Sequence, residues 1–289
     1  SPTSPPCPPP INPHNPDVPI HISIASFRDS LCPRTLHSLF TQADLPDRVY
    51  VRLLEQTVPS SAPGPDDSPC FESLCAAYNG VEGFDCERHR SNVLVARHDA
   101  RLSEGPTHAR ARLSALLRED HEREEPALKR VSPNDFCLQL DSHVILSPSY
   151  DSSFLSMHAR TSNADAVLST YVNPLLSSTP QAQSFSTREV PNLCMVQFTS
   201  TVRNWGTKAC KNLSRPKLTN LWAAGLSFST CLPELAVPYD PYTPGVFDGE
   251  EFSRMLRLWT WGFDVYTPDE VLVLHDYEVH QRKGVVHTW

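Results

Sequence analysis

The sequence predicts an α/β fold in which helices flank a mostly parallel central sheet. An alternating apolar strand begins at His21, a helix extends from Pro33 to Asp44, and a second strand extends from Arg48 to Gln56. A strand, a helix and a strand at this spacing indicate a parallel βαβ unit, because parallel neighbours need a long crossover. Charged residues follow several predicted strands, which is typical of ligand sites in open parallel sheets.

Length and charge limit the classes of function. The chain has 289 residues, a net charge of −8 and 39% hydrophobic residues, enough for one large α/β domain. It lacks a dense Lys/Arg patch, so we expect no nucleic-acid partner. An acidic protein that binds an anionic diphosphate needs a metal ion or a local arginine cluster. No apolar run reaches the roughly 20 residues that span a bilayer, so we expect membrane contact only through an N-terminal anchor outside this sequence.

The first half contains further segments between these strands and beyond them. Residues 1–18 are rich in proline and predict an extended tail or stem. Residues 57–90 are rich in Ser, Pro, Gly and Cys, and predict a loop. A short third strand extends from Asn92 to Ala96, and Gly105-Pro106 precedes a helix. The charged stretch from Arg118 to Pro133 predicts a solvated helix end or a surface insertion.

The second half is predicted to contain three strands and one helix. A buried strand from Phe136 to Leu140 and a short strand from Ala166 to Tyr171 are apolar, whereas residues 172–200 are irregular. A helix from Glu250 to Thr260 carries an apolar face. The last strand extends from Val271 to Leu274.

Nine cysteines leave the redox state open. No Cys-x-x-Cys pair is present, so we expect no structural zinc site. Cys70, Cys75 and Cys86 fall in the predicted loop and can form a disulfide if the protein is secretory, whereas all nine remain reduced in cytosol. The sequence therefore allows a cytoplasmic protein, or one of the Golgi lumen if an anchor precedes residue 1.

The run Asp141-Ser142-His143 follows the buried strand and is the most informative motif. Residues i and i+2 at a strand end point to the same side, so Asp141 and His143 can bind one cation. A carboxylate together with an imidazole suits a borderline-hard ion such as Mn2+. The sequence therefore predicts a divalent-metal site at the carboxyl end of this strand.

Polar and charged residues at several strand ends are expected to converge, because the carboxyl ends of parallel strands share one edge of the sheet. Any one of them can equally cap a helix or lie in solvent, but all of them together indicate a site. The set comprises Arg28, Asp29, Glu55, Gln56, Asp99, Asp141, His143 and His275.

A series of short motifs extends from His21 to about Tyr277. They are Ser23-Ile-Ala-Ser-Phe-Arg-Asp29, Asp99-Ala100, Gly105-Pro106-x-x-Ala109-Arg110, Leu138-Gln-Leu-Asp-Ser-His143, Val167-Leu-Ser-Thr-Tyr171, Ala223-Ala-Gly-Leu-Ser-Phe-Ser229, Val237-Pro-Tyr-Asp-Pro241, Gly249-Glu-Glu251, Arg257-Leu-Trp-Thr-x-Gly-Phe-Asp264 and His275-x-Tyr277. In this order and spacing they resemble glycosyltransferase family 60, the polypeptide α-N-acetylglucosaminyltransferases. The Asp-Ser-His run and a later histidine are also similar to the mucin-type N-acetylgalactosaminyltransferases.

The resemblance implies a GT-A fold over residues 19–289, with a nucleotide-sugar and metal half (19–150) and an acceptor half (151–289). It implies transfer of N-acetylglucosamine (GlcNAc) from UDP-GlcNAc to a protein hydroxyl, on hydroxyproline, Ser or Thr, with retention of the α configuration. The acceptor would be a polypeptide, either an adaptor such as Skp1 or a mucin-like protein. The resemblance also implies Mn2+ or Mg2+, with the ligands Asp141, His143 and His275.

Matching positions imply roles for further residues. Arg28 and Asp29 would contact the nucleotide, and Glu55 or Gln56 would reach the uracil or the ribose. The other residues assigned to donor binding are Asp99, Gly105, Pro106, Arg110 and Trp259. The residues assigned to catalysis on the acceptor side are Asp240, Glu250 and Glu251.

One position departs from the family pattern, and several hypotheses about the reaction compete. Tyr150 stands where the family usually has a tryptophan, which alters the expected packing of the acceptor. No residue is an obvious covalent nucleophile, so retention would come from attack on the face from which UDP departs. The alternatives are another UDP-sugar donor or an inactive scaffold, and intact candidate ligands argue against the scaffold. A metal hydrolase is disfavoured because no His-Glu-x-x-His run is present.

Overall fold

The computed structural model describes residues 12–61, 63–176 and 184–278, so most of the predicted proline-rich tail lies outside the described residues. The strands are β1 (Ile20–Phe27), β2 (Val49–Thr57), β3 (Val93–Asp99), β4 (Phe136–Asp141), β5 (Val144–Leu146), β6 (Ala166–Ser169), β7 (Asn173–Pro174), β8 (Glu189–Phe198), β9 (Val202–Lys211), β10 (Lys217–Thr219), β11 (Leu226–Thr230), β12 (Asp264–Thr267) and β13 (Val273–His275). The helices are α1 (Cys32–Thr41), α2 (Cys70–Tyr78), α3 (Cys86–His89), α4 (Pro106–Glu122), α5 (Tyr150–Arg160), α6 (Leu232–Ala236) and α7 (Glu250–Thr260). None of the helices in these ranges is long and apolar enough to cross a membrane.

An eight-stranded sheet in the order β10-β12-β6-β11-β4-β1-β2-β3 forms the centre of the fold. β1 pairs in parallel with β2 and with β4, and β2 pairs in parallel with β3. Because the chain proceeds from β1 to β2 on one side and returns to β4 on the other, a crevice opens at the carboxyl ends of β1 and β4. The predicted α/β fold with a mostly parallel sheet, including its first βαβ unit, is confirmed.

Helices cover both faces of the sheet, because parallel strands are buried on both sides. Ile22 and Ile24 of β1 are fully buried in one cluster with apolar residues of α1 and α5. On the opposite face, Leu54 of β2 packs with Ala109 and Leu113 of α4. Burial of each of these isoleucine and leucine side chains stabilises the fold by roughly 2 kcal/mol. The two apolar layers hold α1 and α4 on either side of the crevice.

The charged stretch after Arg118 begins as the end of a helix and is mostly exposed, as predicted, but Asp120 within it is buried in an ion pair. Helix α4 continues to Glu122, and Asp120 on its last turns is only 1% exposed. Arg52 of β2 donates two hydrogen bonds to the Asp120 carboxylate, at 2.9 and 2.5 Å. Charged residues are seldom buried without a partner, and this partner lies on a strand that is 68 residues away in the chain, which no local pattern reveals.

The segment 57–90, predicted as a loop, contains the two short helices α2 and α3, which is a correction. Isolated helices of this length are marginal in water, so cross-links and packing must hold them in place. Both helices are cross-linked, since α2 is joined to α1 and to α3. The disulfides of the described residues are Cys32–Cys70, Cys75–Cys86 and Cys137–Cys231.

The region 172–200, predicted as irregular, contains strand β8 of a long antiparallel hairpin with β9, which is a second correction. The alternation of apolar and polar residues does not identify this strand, because apolar residues such as Met195 are exposed on a two-stranded ribbon outside the main sheet. A bulge near Met195 shifts the register, and a side chain at Gly206 would collide with the Met195 side chain. The sequence period of two therefore breaks inside the strand.

His158 of α5 gives the stability of the fold a pH dependence. Its ring is buried and contacts Phe136 and Phe228 edge to face, and its Nε2 lies 3.1 Å from the Ala166 carbonyl oxygen. Burial lowers its pKa from 6.5 to about 4. The unfolded chain therefore binds the proton first, and this histidine lowers the free energy of unfolding as the pH falls from about 6.5 to about 4.

Replacing His158 by Gln should make the loss of stability between pH 7 and pH 5 less steep, because Gln does not titrate. A single histidine contributes at most about 1.4 kcal/mol per pH unit. Urea unfolding of wild type, His158→Gln and the exposed control His14→Gln at both pH values measures the difference. Identical slopes for wild type and His158→Gln would contradict the assignment.

Candidate metal centre and cleft

A cleft of about 960 Å³ opens at the carboxyl ends of β1, β2 and β4. The hairpin β8–β9 and the start of α7 also contribute to its walls. The sequence-predicted residues that line it are Arg28, Asp29, Gln56, Pro106, Arg110, Asp141, His143, Glu250, Glu251 and His275. The predicted residues that do not line it are Glu55, Asp99, Gly105, Asp240 and Trp259.

Asp141, His143 and His275 come together in this cleft, with one ligand atom from each within 4.8 Å of the others. Asp141 ends β4 and His275 ends β13. The antiparallel pair β5–β13 places His275 opposite Val144. The Asp276 N–H donates to the His143 carbonyl oxygen at 3.0 Å, so backbone pairing holds the two histidine-bearing segments together.

These three residues fit a divalent cation. A carboxylate with two imidazoles is a donor set that suits first-row divalent metals, and Asp141 Oδ2 already lies 3.2 Å from His275 Nε2. A Cβ at Gly225 would lie 2.8 Å from Asp141 Oδ2, so only glycine leaves that oxygen its space. Among the described residues, the buried Nδ1 of His275 has no hydrogen-bond partner. The predicted triad is therefore a metal-binding arrangement.

Arg110 of α4 helps to keep the Asp141 carboxylate of the triad ionised. Its Nη2 donates to Asp141 Oδ1 at 2.9 Å, and its Nη1 donates to both Glu250 oxygens at 2.7 and 2.8 Å. Burial by itself raises the pKa of Asp141, but the His275 hydrogen bond and the Arg110 charge hold it well below its usual range. Asp141 therefore stays ionised at neutral pH, as a metal ligand must.

Asp29 lies against His143, with Oδ2 at 2.7 Å from Nδ1. Burial lowers the pKa of His143, but the hydrogen bond and the charge of Asp29 outweigh it and raise this pKa above its usual value. Burial likewise raises the pKa of Asp29, but the interaction with His143 lowers it on balance. This carboxylate therefore contacts an imidazole, and its contact with a nucleotide stays a prediction.

Arg28 and Gln56 lie in the cleft at the ends of the first two strands. Arg28 donates from Nε and Nη2 to Asp67, at 2.9 and 2.8 Å, and holds a left-handed φ of 46°. A non-glycine residue in that conformation costs on the order of 1 kcal/mol, which marks the sharp turn at the end of β1. Gln56 Oε1 accepts a hydrogen bond from Ser103 at 2.8 Å.

Glu55 and Asp99 have partners outside the cleft. Glu55 is buried and accepts hydrogen bonds from the Cys70 N–H and from Arg97 Nε. Asp99 accepts from the backbone and the guanidinium of Arg101, which holds the pKa of its carboxyl at about 2. Side chains alternate along a strand, so Gln56 faces the cleft while its neighbour Glu55 does not.

Gly105, Asp240 and Trp259 also lie outside the cleft. Gly105 adopts a φ of 91° directly before α4, and Asp240 accepts a hydrogen bond from the Tyr242 N–H at 2.8 Å. Trp259 is 62% exposed and lines a separate cavity of about 640 Å³. It follows Glu250 by nine residues, which is about 13 Å along the helix.

Glu251 is a half-buried carboxylate on the first turn of α7. It accepts hydrogen bonds from the Tyr171 hydroxyl at 2.7 Å and from the Ala224 N–H at 3.1 Å. Burial raises the pKa of Glu251, although the bond from Tyr171 acts in the opposite direction. Both glutamates that the sequence singled out on this helix therefore lie in the cleft wall and are already fixed by partners.

Three aromatic residues of the cleft, Trp205, Phe247 and Tyr277, were not assigned to it from the sequence. Trp205 of β9 is 58% exposed, and the Arg203 guanidinium lies over its ring at 5.2 Å. Arg203 also bonds to Asp248 at 3.3 Å. The i, i+2 spacing of Arg203 and Trp205 places both on one side of a strand. The sequence predicts this shared side only if β9 is recognised as a strand.

Residues 19–288 match the model of the family described as glycosyltransferase (GlcNAc). No curated protein sequence matches the chain significantly. The family match covers all of the strands, all of the helices and every residue of the triad.

Solved structures show the same fold at low identity. The crystal structure of GalNAc-T7 with UDP, GalNAc and Mn2+ has a TM-score of 0.57 and 15% identity, over 90% of this chain and 44% of that chain. The mannosyltransferase PcManGT from Pyrobaculum calidifontis, in complex with GDP-Man and Mn2+, has a TM-score of 0.50 and 10% identity, over 93% of this chain and 61% of that chain. These likenesses show a GT-A type of fold, and the chain spans less than two thirds of either protein's length.

Replacing Gly225 by Ala should weaken Mn2+ binding at least tenfold, because the added Cβ would lie 2.8 Å from Asp141 Oδ2 and displace a ligand. Gly64→Ala is the matched control, since its Cβ would meet nothing within 4 Å. Isothermal titration calorimetry with Mn2+ measures the affinity, and urea unfolding checks the fold. Unchanged affinity in Gly225→Ala would show that Asp141 Oδ2 is not a ligand.

Proposed function

Because this chain belongs to the glycosyltransferase (GlcNAc) family, we propose that it transfers GlcNAc from UDP-GlcNAc to a hydroxyl of a polypeptide. The observation that carries the proposal is the triad of Asp141, His143 and His275 in a cleft at the carboxyl edge of a parallel sheet. A metal at this edge is well placed for a diphosphate, since ligands of open α/β sheets bind beyond the strand ends. The resemblance of the sequence motifs to glycosyltransferase family 60 supports a protein hydroxyl as the acceptor.

The donor side of the cleft is suited to a nucleotide diphosphate. When bound, Mn2+ or Mg2+ would neutralise the charge that builds on the departing UDP. Arg110 adds a guanidinium that both Glu250 and Asp141 hold in place, and Arg28 adds a second one at the rim. Both guanidiniums are already paired with carboxylates, so a bound divalent metal would supply most of the positive charge that a diphosphate needs in this acidic protein.

The acceptor side would be the opposite wall, where Trp205 and Phe247 are exposed. Flat aromatic faces bind apolar parts of a peptide or the face of a sugar at low cost in conformational entropy. Tyr150, which stands at the family's tryptophan position, is fully buried and donates to the Leu39 carbonyl oxygen. In this chain, Trp205 would therefore take the role of that tryptophan and pack against the acceptor.

Retention would come from attack on the face of the sugar from which UDP departs. Neither glutamate of α7 is free to act as a covalent nucleophile, since Glu250 is held by Arg110 and Glu251 by Tyr171. Glu251 is then suited to orient the acceptor, while the departing phosphate accepts the proton of the attacking hydroxyl. The bond between the sugar carbon and the acceptor oxygen forms as the bond between that carbon and UDP breaks.

The disulfides favour one acceptor class over the other. Three disulfides within the described residues point to an oxidising compartment such as the Golgi lumen. Ser or Thr of mucin-like proteins is then the preferred acceptor, and hydroxyproline of a Skp1-like cytoplasmic adaptor is the alternative. Another UDP-sugar donor and an inactive scaffold are the remaining outcomes that an assay separates.

The double variant Asp141→Ala, His143→Ala should abolish Mn2+-dependent release of UDP from UDP-GlcNAc, because both ligands are lost. The control is His14→Ala, Asp17→Ala, a pair of exposed residues at the start of the described chain. Release is measured with a UDP-coupled assay for UDP-GlcNAc, UDP-GalNAc and UDP-glucose. If folded wild type releases no UDP from any of the donors, the hypothesis of an inactive scaffold is favoured. If it releases UDP faster from another UDP-sugar, that sugar is the donor instead of GlcNAc.

Replacing Trp205 by Ala should raise the KM for the acceptor peptide about tenfold and change the KM for UDP-GlcNAc little, since the ring lies on the acceptor wall. Phe198→Ala, an exposed residue of the same hairpin that does not line the cleft, is the control. Initial rates with a Ser/Thr-rich peptide and with a hydroxyproline peptide give both constants. If Trp259→Ala has the larger effect, the acceptor binds at the second cavity instead.

A further inference from the structure

The Asp29 carboxylate is enclosed at the end of β1, only 9% exposed, and each of its oxygens has a defined partner. Oδ1 accepts a hydrogen bond from the Leu31 N–H at 2.9 Å. Oδ2 accepts one from the Ser142 hydroxyl at 2.6 Å and lies 2.7 Å from His143 Nδ1. A carboxylate that is fixed in this way has little capacity left for a ligand.

The contact with Nδ1 decides how His143 presents its ring. A carboxylate accepts from an N–H, so the contact assigns the hydrogen to Nδ1 and leaves Nε2 as the ring nitrogen that can bind a metal. Ligating histidines commonly donate their other ring nitrogen to a carboxylate, which fixes both tautomer and orientation. His275 lacks this device, because its buried Nδ1 has no partner among the described residues.

We infer that Asp29 is a positioning residue that fixes the tautomer and orientation of His143 for metal binding, and that Ser142 acts by holding Asp29 in place. The inference rests on the proposed function in that the triad must bind a metal. It assigns a role to the middle residue of the Asp141-Ser142-His143 run, whose side chain points away from the metal ligands and towards Asp29. It is an alternative to the nucleotide contact that the sequence predicts for Asp29.

The substitution Asp29→Asn probes the tautomer directly. The Leu31 N–H can only donate, so the Asn oxygen should take the Oδ1 position and the amide NH2 should face His143. An NH2 group can only donate, so Nδ1 becomes an acceptor and the hydrogen moves to Nε2. His143 then loses the lone pair that the metal needs.

The experiment measures Mn2+ binding to the full chain by calorimetry, without nucleotide. Asp29→Asn should raise the Mn2+ dissociation constant about tenfold or more, and Ser142→Ala by a few fold. The double variant should match Asp29→Asn alone, because Ser142 acts only through Asp29. Nitrogen-15 shifts of the His143 ring in the metal-free protein at pH 8 should change from the Nδ1–H to the Nε2–H form in Asp29→Asn.

The matched control is Asp135→Asn, which removes a carboxylate from another buried histidine, His21, at 3.1 Å. It should leave the Mn2+ dissociation constant unchanged while it lowers the urea midpoint. Unchanged Mn2+ affinity in Asp29→Asn would overturn the inference, as would an unchanged tautomer of His143. If Asp29→Asn does not fold, the smaller change Ser142→Ala decides, and unchanged Mn2+ affinity there overturns it equally.

Two further results separate this inference from the proposed function. If Asp29→Asn binds UDP more weakly than wild type in EDTA but binds Mn2+ with unchanged affinity, Asp29 is a nucleotide contact. That result would overturn the positioning role. Wild type that binds Mn2+ but turns over no UDP-sugar would refute the transferase proposal, and weaker Mn2+ binding by Asp29→Asn would still support the inference.

Discussion

The partly buried, ionised carboxylate of Asp141 is the constraint on which the site depends. Arg110, His275 and the empty volume at Gly225 all accommodate this one carboxylate, and each comes from a different segment of the chain. Removing one partner of a buried charge leaves the other uncompensated, which costs several kcal/mol. The positions of α4, β13 and the turn before β11 are therefore coupled, and Glu250 of α7 joins them through Arg110.

The metal-ligand segments are short, so the fold must hold them by other means. β5 and β13 have three residues each, too few for a strand pair to be stable by itself. Helix α1 supplies the support, since the Thr35 hydroxyl contacts the Ser142 and Val144 carbonyl oxygens at 2.8 and 2.9 Å. The disulfide from Cys32 then ties α1 to α2, so the cross-linked helices stabilise the turn that carries His143.

Sequence periodicity predicted the first half better than the second. The strands from His21 and Arg48 alternate or run apolar because both faces are buried, and the structure confirms them. The β8–β9 hairpin was missed because a bulge and exposed apolar residues erase its period. Trp205, whose neighbour on the same strand face is Arg203, was missed with it. In contrast, Trp259 was assigned to donor binding, although it is exposed on the far part of α7 and does not line the cleft.

The sequence by itself determined the fold class and the Asp141-Ser142-His143 end of a buried strand, because both follow from local patterns of burial and alternation. It also placed Arg110 and Glu250 among the site residues through resemblance to a family. Only the tertiary structure decided that Asp29 binds an imidazole and that Glu55 faces away from the cleft. Those partners lie far apart in the chain, and a hydrogen bond between two side chains leaves no local period that a single sequence can display.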